Sequence, residues 1–196
     1  RWHWWTLVKA NILFFLFCLP VITIPAALKA LTRVCVLLLR GEPLDLWSDW
    51  WSAFRTGFRR TTAAGAAMAL LLAGGGFAVS VYGRSMADNG IWAAPALVLL
   101  VLMGVVVMSL FSLFPLLEFS ELGLGESVRS ALLLVLVRMP QHLAALAFLA
   151  ALTAAYLLAY PYSTFVLAAI GFSLFWLTAC FAAWPGLEKH VFHLED

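Results

Sequence analysis

The sequence predicts an all-α fold: a polytopic membrane helix bundle of about five transmembrane helices with cytosolic amphipathic helices. Three observations predict it. Hydrophobic residues make up 64% of the 196 residues and charged residues only 11%, with a mean hydropathy of +0.99. Soluble domains sit nearer half apolar and a quarter charged. The apolar residues gather in five long runs, each able to cross roughly 30 Å of hydrocarbon. The runs are continuous rather than alternating, which excludes a β-barrel and leaves helices, whose backbones satisfy themselves in lipid. The whole chain, 1–196, reads as a single transmembrane domain with no room for a separate soluble one.

The first run covers about 5–27 and contains NILFFLFCLPVITIPAA. Pro20 and Pro25 break its hydrogen-bond ladder, so the helix kinks or stops near Leu19 and restarts. The restarted piece, 26–40, carries Lys29, Arg33 and Arg40. It reads as a tilted continuation leaving the membrane, with half of a re-entrant hairpin as the alternative. These prolines and cations do not fit a cleavable signal peptide.

The clearest amphipathic element is DLWSDWWSAFRTGFRR, a helix over 45–60. Trp47, Trp51, Phe54 and Phe58 recur at helical spacing on one face. Ser48, Asp49, Ser52, Arg55, Thr56 and Arg59 share the opposite side, and Asp45 is placed to cap the start. Such a helix suits the interface, rings toward acyl chains and arginines toward lipid phosphate. Packing on the protein's own helix ends is the competing reading.

The next spans are about 62–82, 91–117, 143–160 and 163–184. Small residues favour close helix contact in lipid. Span two offers Thr62, Ala66, Ala69, Ala73 and Gly76 along one stripe, and span four Ala147, Ala151 and Ala155. Gly74, Gly75 and Gly76 mark a thin or loosened stretch of helix. The segment GESVRS aligns with WSDWWS so that, at an offset of 79, Glu126 lies under Trp47, Arg138 under Arg59 and the fourth span under the second. A duplicated hairpin pair plus a fifth helix would produce that pattern.

Lysine and arginine counts set the orientation. Lys29, Arg33, Arg40, Arg55, Arg59, Arg60, Arg129, Arg138 and Lys189 fall on one side; Arg1, Lys9 and Arg84 fall on the other. Nine against three places the C-terminus in the cytoplasm, with the N-terminus outside if there are five spans and inside if the first run is a hairpin. Trp2, Trp4, Trp5, Tyr82, Trp92, Tyr156, Tyr160 and Tyr162 read as an outer aromatic belt.

Little in the chain carries chemistry. A net charge of +2 at pH 7 gives no concentrated basic surface for nucleic acid. Cys18, Cys35 and Cys180 lie in apolar runs without metal spacing and read as buried free thiols. No catalytic triad, nucleophile elbow, phosphate loop or zinc signature is present, so no catalytic residue, metal or cofactor is assigned. His190 and His193 have a spacing that a metal could use, in a short tail where chance pairs are common. The span interiors offer hydroxyls: Ser109, Ser112, Thr153, Ser173 and Thr178. At the inner faces, Glu118 and Glu121 follow Pro115, and Arg129, Arg138 and His142 lie around the start of span four. A glutamate–arginine cluster there would gate a mouth or dock a partner; interfacial charges that end helices are the plainer reading.

The run LFCLPVITIPAALKAL (16–31), the RGEP at 40–43 and the helix DWWSAFRTGFRR resemble the YesL family, also called DUF624, of bacterial membrane proteins. Asn11, Leu19, Pro20, Thr23 and Pro25 match its helix-break motif in order, with Ile24 where a Gly commonly stands. The resemblance implies location in the bacterial cytoplasmic membrane. The family has no established activity, but its members often appear beside sugar-uptake ABC transporters and glycoside hydrolases. It therefore implies a non-enzymatic accessory of carbohydrate uptake or sensing. The helices around 47–60 and 126–138 would dock lipid bilayer, an ABC transporter or another membrane protein, and self-association into a homo-oligomer is permitted. The alternative is a channel or transporter for a small neutral solute, lined by the hydroxyls of spans three to five.

Overall fold

The computed structural model describes residues 4–88, 90–158 and 170–190. Among them every regular element is a helix: α1 (Trp4–Cys18), α2 (Ile24–Arg40), α3 (Leu46–Arg55), α4 (Phe58–Asp88), α5 (Ala93–Phe119), α6 (Leu124–Val137), α7 (Met139–Leu158) and α8 (Phe172–His190). Among the described residues four stretches are long and apolar enough to cross a membrane: Val21–Arg40, Phe58–Ser85, Gly90–Phe119 and Met139–Leu158. The fold is an all-α membrane helix bundle.

The first apolar run is two helices, not one kinked crossing. Pro20 ends the α1 ladder, and Thr23 closes the turn by donating its hydroxyl to the Phe17 and Pro20 carbonyls. Ile24, in the place of the family's glycine, has ordinary helical angles of φ −50° and ψ −49°, so the turn needs no left-handed residue. The Leu7 carbonyl accepts from Ser173 Oγ at 3.1 Å. Trp176, one turn along α8, donates to Thr32 Oγ1 at 2.8 Å. An unbroken helix would hold Leu7 and Thr32 about 37 Å apart; here both meet the same turn of α8. The chain therefore folds back, which is the hairpin alternative rather than the tilted continuation. This places α1 at the α8 end of the bundle. Trp4 and Trp5 are thus separated from Tyr82 and Trp92, which stack at 5.7 Å at the α4–α5 turn. The expected single aromatic belt is divided. Tyr160 and Tyr162 lie outside the described residues, as do Trp2, His193 and the break expected at 160–163.

The helix expected over 45–60 ends at Arg55. Thr56 is extended and Gly57 takes φ +63°, a conformation that costs most residues but not glycine. Phe58, Arg59 and Arg60 therefore begin α4. Beyond them α4 runs unbroken through Gly74–Gly76 to Asp88, so the glycines do not loosen it. The layout α3, break, α4 recurs as α6, break at Arg138, α7.

Helix contacts fall on stripes adjacent to the expected ones. On α4, Thr61, Ala64 and Met68 are buried, while Ala66, Ala69, Ala73 and Gly76 are exposed. On α7, His142, Ala145 and Leu149 are buried, while Ala147, Ala151 and Ala155 are exposed. Small residues permit close approach without requiring it, and the closest approaches are elsewhere. Gly65 lies against Pro25 and Gly75 against Met103. The core centres on α2, whose Ala27, Ala30, Leu31, Val34 and Cys35 are buried among α1, α3, α5 and α8.

Candidate functional site: a buried charge cluster beneath an aromatic helix

The bundle's most consequential polar feature lies where α2, α3 and α5 meet. Lys29 and Arg33 are four residues apart and so share one face of α2. Glu118, one turn past Pro115 in α5, sits between them. Its Oε2 lies 3.1 Å from Lys29 Nζ and its Oε1 2.8 Å from Arg33 Nη1. The Lys29 and Glu118 side chains are each only 3% exposed. Arg33 also reaches Asp49 of α3 at 3.4 Å. The cluster holds two cations and two anions, so it is neutral as a unit, the condition under which charges tolerate burial.

The cluster positions α3. Lys29 Nζ donates to the Thr56 carbonyl at 2.7 Å, holding the C-terminal end of α3. Asp49 Oδ2 accepts the Asp45 backbone N–H at 3.0 Å, closing the N-terminal end. Asp45 occupies the cap position but its own side chain makes no cap bond; the carboxylate one turn later does that work. With Asp49 and Trp50 turned inward, the Trp47, Trp51, Phe54 and Phe58 stripe turns outward. Trp47 and Trp51 stack at 6.2 Å, Trp51 and Phe54 at 5.9 Å, and Phe54 meets Phe58 at 5.7 Å across the helix break. Phe17 of α1 packs beneath, 4.9 Å from Phe54. Arg55 lies over the Trp51 ring at 5.6 Å, so it joins the aromatic side rather than the opposite face. Arg59 is exposed.

The expected cluster of Glu118 and Glu121 with Arg129, Arg138 and His142 is not formed. Glu118 is taken by α2, and Glu121 and Arg129 stand exposed. Arg138 donates to Gln141 Oε1 at 2.9 Å and to the Pro185 carbonyl at 3.5 Å. His142 joins α7 to α5. Its Nδ1 faces the Arg138 carbonyl at 3.1 Å and its Nε2 faces Ser112 Oγ at 3.0 Å. A carbonyl only accepts, so the proton is on Nδ1 and Nε2 accepts from the serine. Arg60, absent from the expected site, donates to the Leu122 carbonyl and, at 3.2 Å, to Ser127 Oγ. It fixes the α5–α6 connection and the start of α6.

The five hydroxyls expected to line spans three to five are engaged. Ser109, Thr153 and Thr178 donate to carbonyls of their own helices, Ser112 bonds His142, and Ser173 bonds Leu7. Asn11 lies away from the helix break that its motif suggested. It accepts the buried Ser173 N–H at 3.0 Å and joins α1 to the start of α8. Asn11→Ala strands that donor and should cost about 1–3 kcal/mol, read as a lowered thermal midpoint in detergent. An unchanged midpoint would mean that water reaches Ser173.

Lys29, Arg33 and Asp49 are site residues that the sequence reading counted only toward orientation and helix polarity. A signal existed: two cations on one face of an apolar helix require counter-charges, and Glu118 ends the most apolar of the described spans.

Residues 7–76 match the sequence profile of the family described as Protein of unknown function, DUF624. By that segment this chain is similar to DUF624. The segment runs from α1 into the middle of α4, so Lys29, Arg33 and Asp49 lie within the DUF624 match and Glu118 lies outside it. Among curated proteins and solved structures nothing matches this chain.

Proposed function

We propose that this protein is a non-enzymatic accessory that docks another membrane protein through α6. The supporting observation is the two-sided character of that helix. Ser127, Ala131, Leu134 and Val135 are buried against the bundle, while Leu132, Leu133, Leu136 and Val137 form an exposed apolar stripe. Exposed Glu121, Glu126 and Arg129 border its N-terminal end. A lipid surface selects cations alone; charges of both signs suit the complementary rim of a protein interface. By the lysine and arginine count this end is cytoplasmic. The buried Asn11, Lys29 and His142 cross-link helices, which points to the surface as the working part. The YesL resemblance adds carbohydrate uptake or sensing as the setting.

Extraction of the native membrane without detergent, followed by mass spectrometry, tests this. A stoichiometric ABC permease or sensor is the expected companion, lost in Leu133→Ser, Leu136→Ser while the protein itself remains folded. Recovery of the protein alone, or the same companion from the variant, would reject docking through α6. Solute flux into liposomes carrying the pure protein would favour the channel alternative.

A further inference from the structure

We propose that α1, its turn and α2 form a wedge that enters one bilayer leaflet without crossing it. In this arrangement α3 lies beside the wedge at headgroup depth, with Arg55 and Arg59 among anionic lipid phosphates. The inference concerns a surface separate from α6 and does not depend on the partner reading.

α4 is the ruler. Gly65 and Arg84 are 19 residues apart on one continuous helix, about 28 Å, close to the thickness of the hydrocarbon core. Leu70, Leu71 and Phe77 between them are exposed. Pro25, at the start of α2, lies against Gly65, while Lys29, one turn on, reaches back to Thr56. α2 therefore runs antiparallel to α4 and leaves the hydrocarbon almost at once. If α2 crossed the bilayer instead, α4 would carry Leu70, Leu71 and Phe77 about 8–18 Å, and its far end about 35 Å, beyond the tip of α2 into water. The apolar length of α2 is explained by burial within protein: Ala26, Ala30, Leu31, Val34 and Cys35 are all inaccessible.

The wedge tip is apolar and uncovered. Leu19, Val21 and Ile22 are 78%, 75% and 71% exposed, an arrangement unfavourable in water and favoured in acyl chains. Phe17 connects that tip to the aromatic ladder of α3, where Trp47 is 59% exposed. Rings of this kind settle at the acyl–headgroup boundary. Charge complementarity selects the lipid. Asp49 and Glu118 are tied inward, whereas Arg55 and Arg59 are exposed beside the ladder, leaving exposed Asp45 at the far end of α3. The surface continues without interruption into the exposed face of α4, which begins at Phe58.

The test uses the full chain in vesicles of mixed phosphatidylglycerol and phosphatidylcholine. Cys18→Ala removes the one partly exposed thiol. Ile22→Cys then carries a fluorophore, and Leu71→Cys serves as the mid-membrane comparison. Lipids bearing a spin label near the headgroup should quench the probe at position 22 more strongly than lipids labelled near the chain end, with the reverse order at position 71. Stronger quenching at 22 by the deep label would overturn the wedge, and so would quenching by neither label. Impermeant maleimide should label Trp5→Cys and Pro43→Cys from the same side of sealed vesicles; labelling from opposite sides means a crossing and rejects the proposal. Arg55→Gln with Arg59→Gln should weaken retention of phosphatidylglycerol over phosphatidylcholine, about fivefold per arginine. Unchanged retention would reject the headgroup contact.

Discussion

Glu118→Ala should be the most damaging single substitution in the protein. It leaves buried Lys29 and half-buried Arg33 without their shared counter-charge, and breaking a buried pair such as Lys29–Glu118 costs about 3–5 kcal/mol. Lys29 also holds the Thr56 carbonyl and Arg33 holds Asp49, so α3 should loosen together with the core. Thermal unfolding in detergent should show a lower midpoint, and limited proteolysis should cut faster in the connections on either side of α3. Replacing the charges together, as Lys29→Met, Arg33→Met, Glu118→Leu, should recover much of the midpoint, because well-packed apolar groups replace buried pairs at little cost. The triple variant should still be cleaved near α3, since its anchors are gone. A Glu118→Ala protein with an unchanged midpoint would mean that water, not protein, solvates the cations.

Gly65→Ala should destabilise, and Gly74→Ala on the same helix should stabilise. A Cβ at Gly65 would lie 2.4 Å from Cβ and Cγ of the rigid Pro25 ring, so α2 or α4 must move. Overpacking of this kind costs about 1–3 kcal/mol, which outweighs the gain of up to about 1 kcal/mol from replacing glycine within a helix. At Gly74 the added Cβ meets nothing within 4 Å, and only the gain remains. Paired thermal midpoints in one detergent measure both. Shifts of the same sign would show that α4 does not approach Pro25 in solution.

Much of the bundle was legible in the chain. The apolar runs placed α4, α5 and α7, and the proline pair placed the α1–α2 break, because these depend on local hydropathy and on a missing backbone donor. The aromatic stripe of α3 was legible for the same reason: a period of 3.6 is a property of neighbouring residues. The contact stripes on α4 and α7 were not. Alanine and glycine occupy both the buried and the exposed rows, and residue size alone does not distinguish them. The partner of Glu118 was equally hidden, since Lys29 and Arg33 lie 85 or more residues earlier and compete with Arg129 and Arg138, which are nearer in sequence.

The sequence by itself determined that this is an all-α membrane bundle, that its first apolar run breaks at the proline pair, and which face of α3 is aromatic. Each of these follows from composition, periodicity and the chemistry of proline. Only the tertiary structure decided that the first apolar run folds back, that α3 is held by charges beneath it, and that arginine-bearing α3 turns its rings outward. Those outcomes depend on long-range pairing, in which Asn11 meets Ser173, Thr32 meets Trp176 and Glu118 meets two cations of α2. Local propensity carries no record of which distant group will satisfy a buried polar atom; the packed bundle makes that choice.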